Sequence, residues 1–257
     1  MKNIKNIEIE LFSYCNRKCL WCPNQIIDRN INKEIDIEMF EKIIQELKEN
    51  NYKGNIILSR YNEPFSYIKN LKERVNYIRS NLDANIIVNT NGDYLSKINI
   101  TNLNIDQLLV MDYDSIGLEK CIKKIMDIGA KIIEINNDYI YANFKNIKIY
   151  YYYNWKEKNT IYNCGGYLPQ YNNQIRNFPC YEPNTFIGIN YDGTISPCPN
   201  IRNDIKDHQS YILGDLHNNT LTEIINSEKA ISFKTKCENG IFNPKSICYY
   251  CLYQHKE

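Results

Sequence analysis

Cys15, Cys19 and Cys22 place three thiols within eight residues, at C-x3-C-x2-C spacing, directly after a strand-like run. In that run Ile7, Ile9 and Leu11 alternate with Glu8, Glu10 and Phe12, the period-two pattern of a strand with two different faces. Structural zinc sites close with four protein ligands, so three cysteines on one loop leave a coordination position open. A [4Fe–4S] cluster held by three thiolates has the same vacancy, and its open iron can take a substrate or cofactor. The loop therefore reads as a cluster site, with a zinc knuckle as the bland alternative.

The rest of the chain agrees with a metal centre in a reducing compartment. Ten cysteines in 257 residues would be an unusual disulfide framework where thiols are kept free. The opening residues Met1 to Asn6 lack the apolar centre of a signal peptide, and no stretch reaches the length of a membrane span. A cytoplasmic protein is expected. Lys and Arg number 31 against 30 acidic residues, which leaves no electrostatic footprint for nucleic acid or a membrane surface.

Periodicity predicts helices over 36–50, 67–81 and 115–128, the first capped by Asp36. Strands are expected at 55–59, 85–88, 107–111, 131–135 and 147–153. Alternating strands and helices imply parallel βαβ units. Six such repeats are too few for a closed eight-fold barrel, so an α/β fold with a partial, open (βα)6 barrel is expected over residues 1–160. Chemistry in such folds gathers where strands end. The cysteine loop follows the first strand, Arg60-Tyr61-Asn62-Glu63-Pro64 the second, and Asn89-Thr90-Asn91-Gly92 the third. Three distant segments would meet on one rim.

Residues 161–257 form a second, cysteine-rich unit. Asp192-Gly193 between two apolar runs signals a hairpin. Thr220-Leu221-Thr222-Glu223 is a capping box opening a helix whose apolar face carries Ile224, Ile225 and Ile231. With little core of its own, such a segment is suited to a metal staple.

Together these motifs resemble the radical S-adenosylmethionine (radical SAM) enzymes: Cys15, Cys19 and Cys22 at the defining spacing, Trp21 before the last cysteine, and Tyr61-Asn62-Glu63-Pro64 as the second-strand motif. Asn89-Thr90-Asn91-Gly92-Asp93 is similar to a cofactor-contacting segment of that family. The tail resembles the SPASM/Twitch extension, through Cys180, Cys198, Leu213-Gly214-Asp215-Leu216 and Cys248/Cys251. In compact length the chain is similar to the aminocyclitol (2-deoxy-scyllo-inosamine) dehydrogenase group. Asn62 stands where glycine is usual in that family, and Cys164 and Pro199-Asn200 stand where that group has an arginine and a Phe-Glu pair.

The resemblance implies S-adenosylmethionine and two [4Fe–4S] clusters. Cys15, Cys19 and Cys22 would hold the first cluster, and Cys180, Cys198, Cys248 and Cys251 the second. Trp21, Tyr61, Glu63, Asn89, Thr90 and Asn91 would bind the cofactor. It implies a flavodoxin- or ferredoxin-type reductant, anaerobic chemistry and a small polar substrate, an alcohol of a sugar or aminocyclitol being oxidised. Three alternatives stand beside this: epimerisation with Cys164 as hydrogen donor, modification of a ribosomal peptide, and a two-zinc binding module. Cys121 is expected in the core, Cys164 and Cys237 are left over, and Tyr150 to Tyr153 pack or line the cavity. Glu8 and Glu10 either meet substrate or fill the interior.

Overall fold

The computed structural model of the chain describes residues 1–29, 31–153, 168, 175–244 and 246–252. Ten strands join in one open sheet among the described residues. At its centre are β1 (Asn6–Ile9), β2 (Asn55–Ile57), β3 (Asn85–Thr90) and β4 (Gln107–Met111), mutually parallel and in that order. Asn6, Asn55 and Asn85 stand in register at one end, and their side chains form a ladder at 2.8 and 2.7 Å. The ladder gives these half-buried amides partners within the sheet.

The crossover helices form where periodicity predicts. In α1 (Ile37–Glu49) the Asp36 carboxylate accepts from the N–H groups of Glu38 and Met39, and Phe40, Ile43, Ile44 and Leu47 are buried. Each fully buried side chain of this kind contributes about 1.5–3 kcal/mol. α2 (Ile68–Asn81) and α3 (Leu118–Asp127) follow β2 and β4, and Cys121 of α3 is fully buried as expected.

The α/β class holds, but the membership of the parallel set differs from six consecutive repeats. β5 (Lys131–Ile135) is an edge strand, paired antiparallel with β6 (Ile140–Phe144), which pairs antiparallel with β7 (Ile147–Tyr152). The turn at Asn136 decides this: its side chain accepts from the N–H groups of Asp138 and Tyr139, so the chain doubles back as a hairpin. β7 then lies parallel to β4. The sixth parallel strand is β8 (Phe186–Ile189), which pairs with β1 from the other side. Its hairpin to β9 (Thr194–Ser196) turns at Gly193, φ +80°, and β10 (Gly214–Asp215) closes that edge.

Beyond the sheet lie α4 (Glu182–Thr185), α5 (Leu221–Ile225) and α6 (Glu228–Glu238). The capping box at Thr220 is present. The helix it opens ends at Asn226, and Ser227 caps a new one, which turns Ile231 outward to 54 % exposure. Tyr151 is buried, while Tyr150 and Tyr152 pack on Tyr139 at 5.4 and 5.7 Å. The tyrosine run packs the hairpin. No helix among the described residues is long and apolar enough to cross a membrane.

Candidate active site

The carboxyl ends of β1, β2 and β3 converge on a cleft of about 230 Å³. Its walls carry Cys15, Cys19, Cys22, Trp21, Tyr61, Glu63, Asn89, Thr90 and Asn91, the first-cluster and cofactor residues expected from sequence, together with Glu8, Arg60, Tyr113 and Pro199. The loop is held by its neighbours. Asn16 donates to Asp93 at 2.7 Å, Asn91 donates to Asn16 at 2.9 Å, and Arg17 pairs with both Asp93 and Asp114. Cys22 N–H donates to the Cys19 carbonyl, and Pro23 begins a short 3-10 turn to Gln25. Trp21 leans on Tyr113 with ring centres 5.4 Å apart.

Glu63 is held in the cleft by three donors. It accepts from Thr90 Oγ1 at 2.7 Å, Asn91 N–H at 2.8 Å and Phe65 N–H at 3.0 Å. Burial raises its carboxyl above the ordinary range while those bonds work the other way. A carboxylate has about four acceptor positions, so three donors leave one for a cationic ligand group. The buried Asn89 Oδ1 and Asn62 Nδ2 have no partner. Unsatisfied groups of this kind are costly unless a ligand completes them. An acceptor, a donor, a buried carboxylate and three soft thiols in one cleft fit S-adenosylmethionine beside a cluster.

Burial pushes the thiol of Cys15 up to about 12 and that of Cys19 to about 11, and raises Cys22 as well. In Cys15 the other two thiols add to the rise, which places all three within electrostatic reach. Thiols must shed their protons to bind metal, so loading the loop releases protons.

Cys180, Cys198, Cys248 and Cys251 converge on a second, small cavity with Arg176, Asn200 and Cys237. Burial, then the three other thiols, raise Cys198 well above its usual value. Cys237, left over in sequence, is buried and hydrogen-bonded to Cys248, whose thiol is raised by that bond and by burial. Asn200 donates to Cys251 Sγ at 3.3 Å. Four clustered thiols suit iron–sulfur binding, and none of the nine described cysteines is paired in a disulfide. Cys164 lies outside the described residues.

The two sites are neighbours. Arg60 donates to Glu8 at 3.0 Å, to Asn190 at 3.0 Å, and to the carbonyls of Cys198 and Ile201. Tyr61 donates its hydroxyl to the Pro199 carbonyl. Sequence reasoning did not single out Arg60, although it immediately precedes the second-strand motif. Glu8 is the other cleft residue left ambiguous: burial raises its carboxyl from 4.5 to about 7 against the pull of Arg60. Glu10 is fully buried against Arg29 and accepts from Tyr61 N–H at 3.2 Å.

The radical SAM superfamily model matches residues 9–141. The chain belongs to the radical SAM superfamily. The model of the SPASM iron-sulfur cluster-binding domain matches residues 180–252. The protein is therefore a radical SAM enzyme, with S-adenosylmethionine and iron–sulfur clusters as its cofactors, and the reading as a zinc module is not favoured. It is 24% identical over 253 residues to the S-adenosyl-L-methionine-dependent 2-deoxy-scyllo-inosamine dehydrogenase of Niallia circulans, spanning 95% of this chain and 91% of that one. In fold it is similar to BtrN in complex with AdoMet and 2-DOIA, at TM-score 0.74 and 21% identity over 97% of this chain and 93% of that one. It is also similar to anSMEcpe with bound AdoMet, at TM-score 0.52 and 13% identity over 90% and 80%. Both AdoMet-bound proteins share this fold at low sequence identity.

Proposed function

We propose that this radical SAM enzyme oxidises an alcohol of a small polar molecule, a sugar or aminocyclitol, to a ketone. One observation carries the reading: a single small cleft is lined by Cys15, Cys19 and Cys22 and by Pro199, next to Cys198. The dehydrogenase activity named for the relative matched over 95% of the chain supports it.

Cys15, Cys19 and Cys22 hold the first cluster; Cys180, Cys198, Cys248 and Cys251 hold the second. When bound, the cofactors supply a hydrogen-abstracting 5′-deoxyadenosyl radical at the first site and a one-electron acceptor at the second. Glu63, Asn89, Thr90 and Asn91 orient the methionine and ribose parts of S-adenosylmethionine, and Trp21 and Tyr61 border it. Glu8 takes the hydroxyl proton, as its near-neutral carboxyl suits a base at the cleft. The balance is complete: the carbinol carbon loses a hydrogen atom, its hydroxyl a proton and the substrate one electron. Residues 1–160 form the radical-generating unit and 161–257 the electron-accepting one. A cytoplasmic setting with a flavodoxin- or ferredoxin-type reductant fits this chemistry.

The test is to incubate reduced enzyme with sugars and aminocyclitols in deuterated water. A product lacking two hydrogens, with one 5′-deoxyadenosine per turnover, supports oxidation. Solvent deuterium in an isomeric product would overturn it in favour of epimerisation, and turnover on peptides alone would overturn the substrate class.

A further inference from the structure

Arg202 is among the most deeply buried side chains of the protein, with no exposed surface, and it lies four residues after Cys198. Its Nε and one terminal nitrogen form a fork on Asp204 at 2.7 and 2.6 Å. Its other terminal nitrogen donates to Asn24 Oδ1 at 2.7 Å, two residues beyond Cys22. Asn24 in turn donates to the Tyr61 carbonyl at 2.8 Å. The Arg202 N–H donates to His208 Nδ1 at 3.1 Å; burial and Arg202 lower that imidazole to about 4, so it is a neutral acceptor.

Arg29 completes the arrangement. It donates to Asp204 at 2.9 Å and pairs with Glu10, whose same oxygen accepts from Tyr61 N–H at 3.2 Å. The guanidiniums of Arg29, Arg60 and Arg202 lie 5.5, 5.4 and 4.9 Å from the Tyr61 ring centre. Burial alone would raise Asp204, but Arg202 and Arg29 hold its carboxyl well below the usual range. The quartet pairs two guanidiniums, Arg29 and Arg202, with two carboxyl groups, Glu10 and Asp204.

We propose that Arg202 is a positioning residue that clamps the Cys22–Asn24 turn of the first cysteine site to the 198–204 loop of the second and sets the charge beside Cys22. The inference rests on Cys22 holding the first cluster. A bidentate, buried guanidinium is suited to this because its fork fixes direction as well as charge. Removing it takes one positive charge from beside the first site and leaves Arg29 as the only guanidinium facing both Glu10 and Asp204. Negative charge disfavours the reduced, more electron-rich cluster, so the reduction potential of that cluster falls.

The experiment uses the full reconstituted chain, with the first-cluster resonance assigned as the one absent from a Cys15→Ala/Cys19→Ala/Cys22→Ala variant. Arg202→Gln should shift its midpoint potential to more negative values, and Arg202→Lys, which keeps the charge, should restore it. Hydrogen exchange should be about tenfold faster in Arg202→Gln, in residues 22–27 and 198–204 together, as loss of a buried charged hydrogen bond implies. An unchanged potential, or faster exchange confined to 198–204, overturns the proposal. If Arg202→Gln takes up no iron, Asn24→Ala severs the bridge while keeping both guanidiniums. It should speed exchange in both segments and leave the potential near that of the wild type, and unchanged exchange overturns the clamp. A wild-type chain that forms no first-site resonance would instead sink the cluster assignment, and the exchange comparison would still decide the clamp.

Discussion

The hydroxyl of Thr90, at the end of β3, donates to Glu63 Oε1 at 2.7 Å across 27 residues of sequence. That bond and the Asn91 N–H hold a buried carboxylate in one orientation at the mouth of the cysteine loop. Thr90→Val should weaken S-adenosylmethionine binding about tenfold, and Glu63→Gln should weaken it about 10- to 100-fold, as expected for hydrogen bonds to a charged group. Equilibrium binding to the reconstituted enzyme measures both. Unchanged affinity in Glu63→Gln would remove Glu63 from the cofactor site.

Glu8 supplies a pH dependence. Burial raises its carboxyl from 4.5 to about 7 in the folded state, so the folded chain binds the proton more tightly than the unfolded one. Its contribution to stability is fully present below 4.5 and is lost as pH rises through about 7. Activity should move the opposite way, rising through the same region as the base ionises. Glu8→Gln should flatten both profiles and slow ketone formation by about 10²- to 10⁴-fold. Denaturant titrations and steady-state rates across that window check the two signs.

Gly188 is required by a close approach. A Cβ on it would sit on the guanidinium of Arg60, which crosses β8 to reach Glu8 and the Cys198 carbonyl. Gly188→Ala should cost about 1–3 kcal/mol, the range for overpacking a filled interior. Urea unfolding would register it, and a wild-type midpoint would show that Arg60 has room to move.

The second cysteine site separates ligand from neighbour. Cys248→Ser should lose one cluster, about four of about eight irons per chain, whereas Cys237→Ser should retain them. Iron analysis after anaerobic reconstitution distinguishes the two. Equal loss from both would make Cys237 a ligand.

Local physics made much of this protein legible. A thiol spacing, a period-two strand, the Asp36 cap, the Thr220 capping box and the Asp192-Gly193 turn act over a few residues, so their pattern survives in sequence. The cleft residues Glu63 and Asn89 to Asn91 were readable because they end strands whose order in a parallel sheet follows the chain. The Asn136 turn carried a signal too, but its run of turn-forming residues is short, and β6 was not expected.

By itself the sequence marked the three-cysteine loop, most of the central strands and the rim on which the polar segments gather. Only the tertiary structure decided that β8 returns to pair with β1, and that Pro199, next to Cys198, borders the cleft of the first cysteine site. Arg29 meets Asp204 across 175 residues and Arg202 meets Asn24 across 178. No local pattern encodes such pairs. They exist because strand pairing closes the long loop between them, and because a guanidinium buried by that closure must find an acceptor.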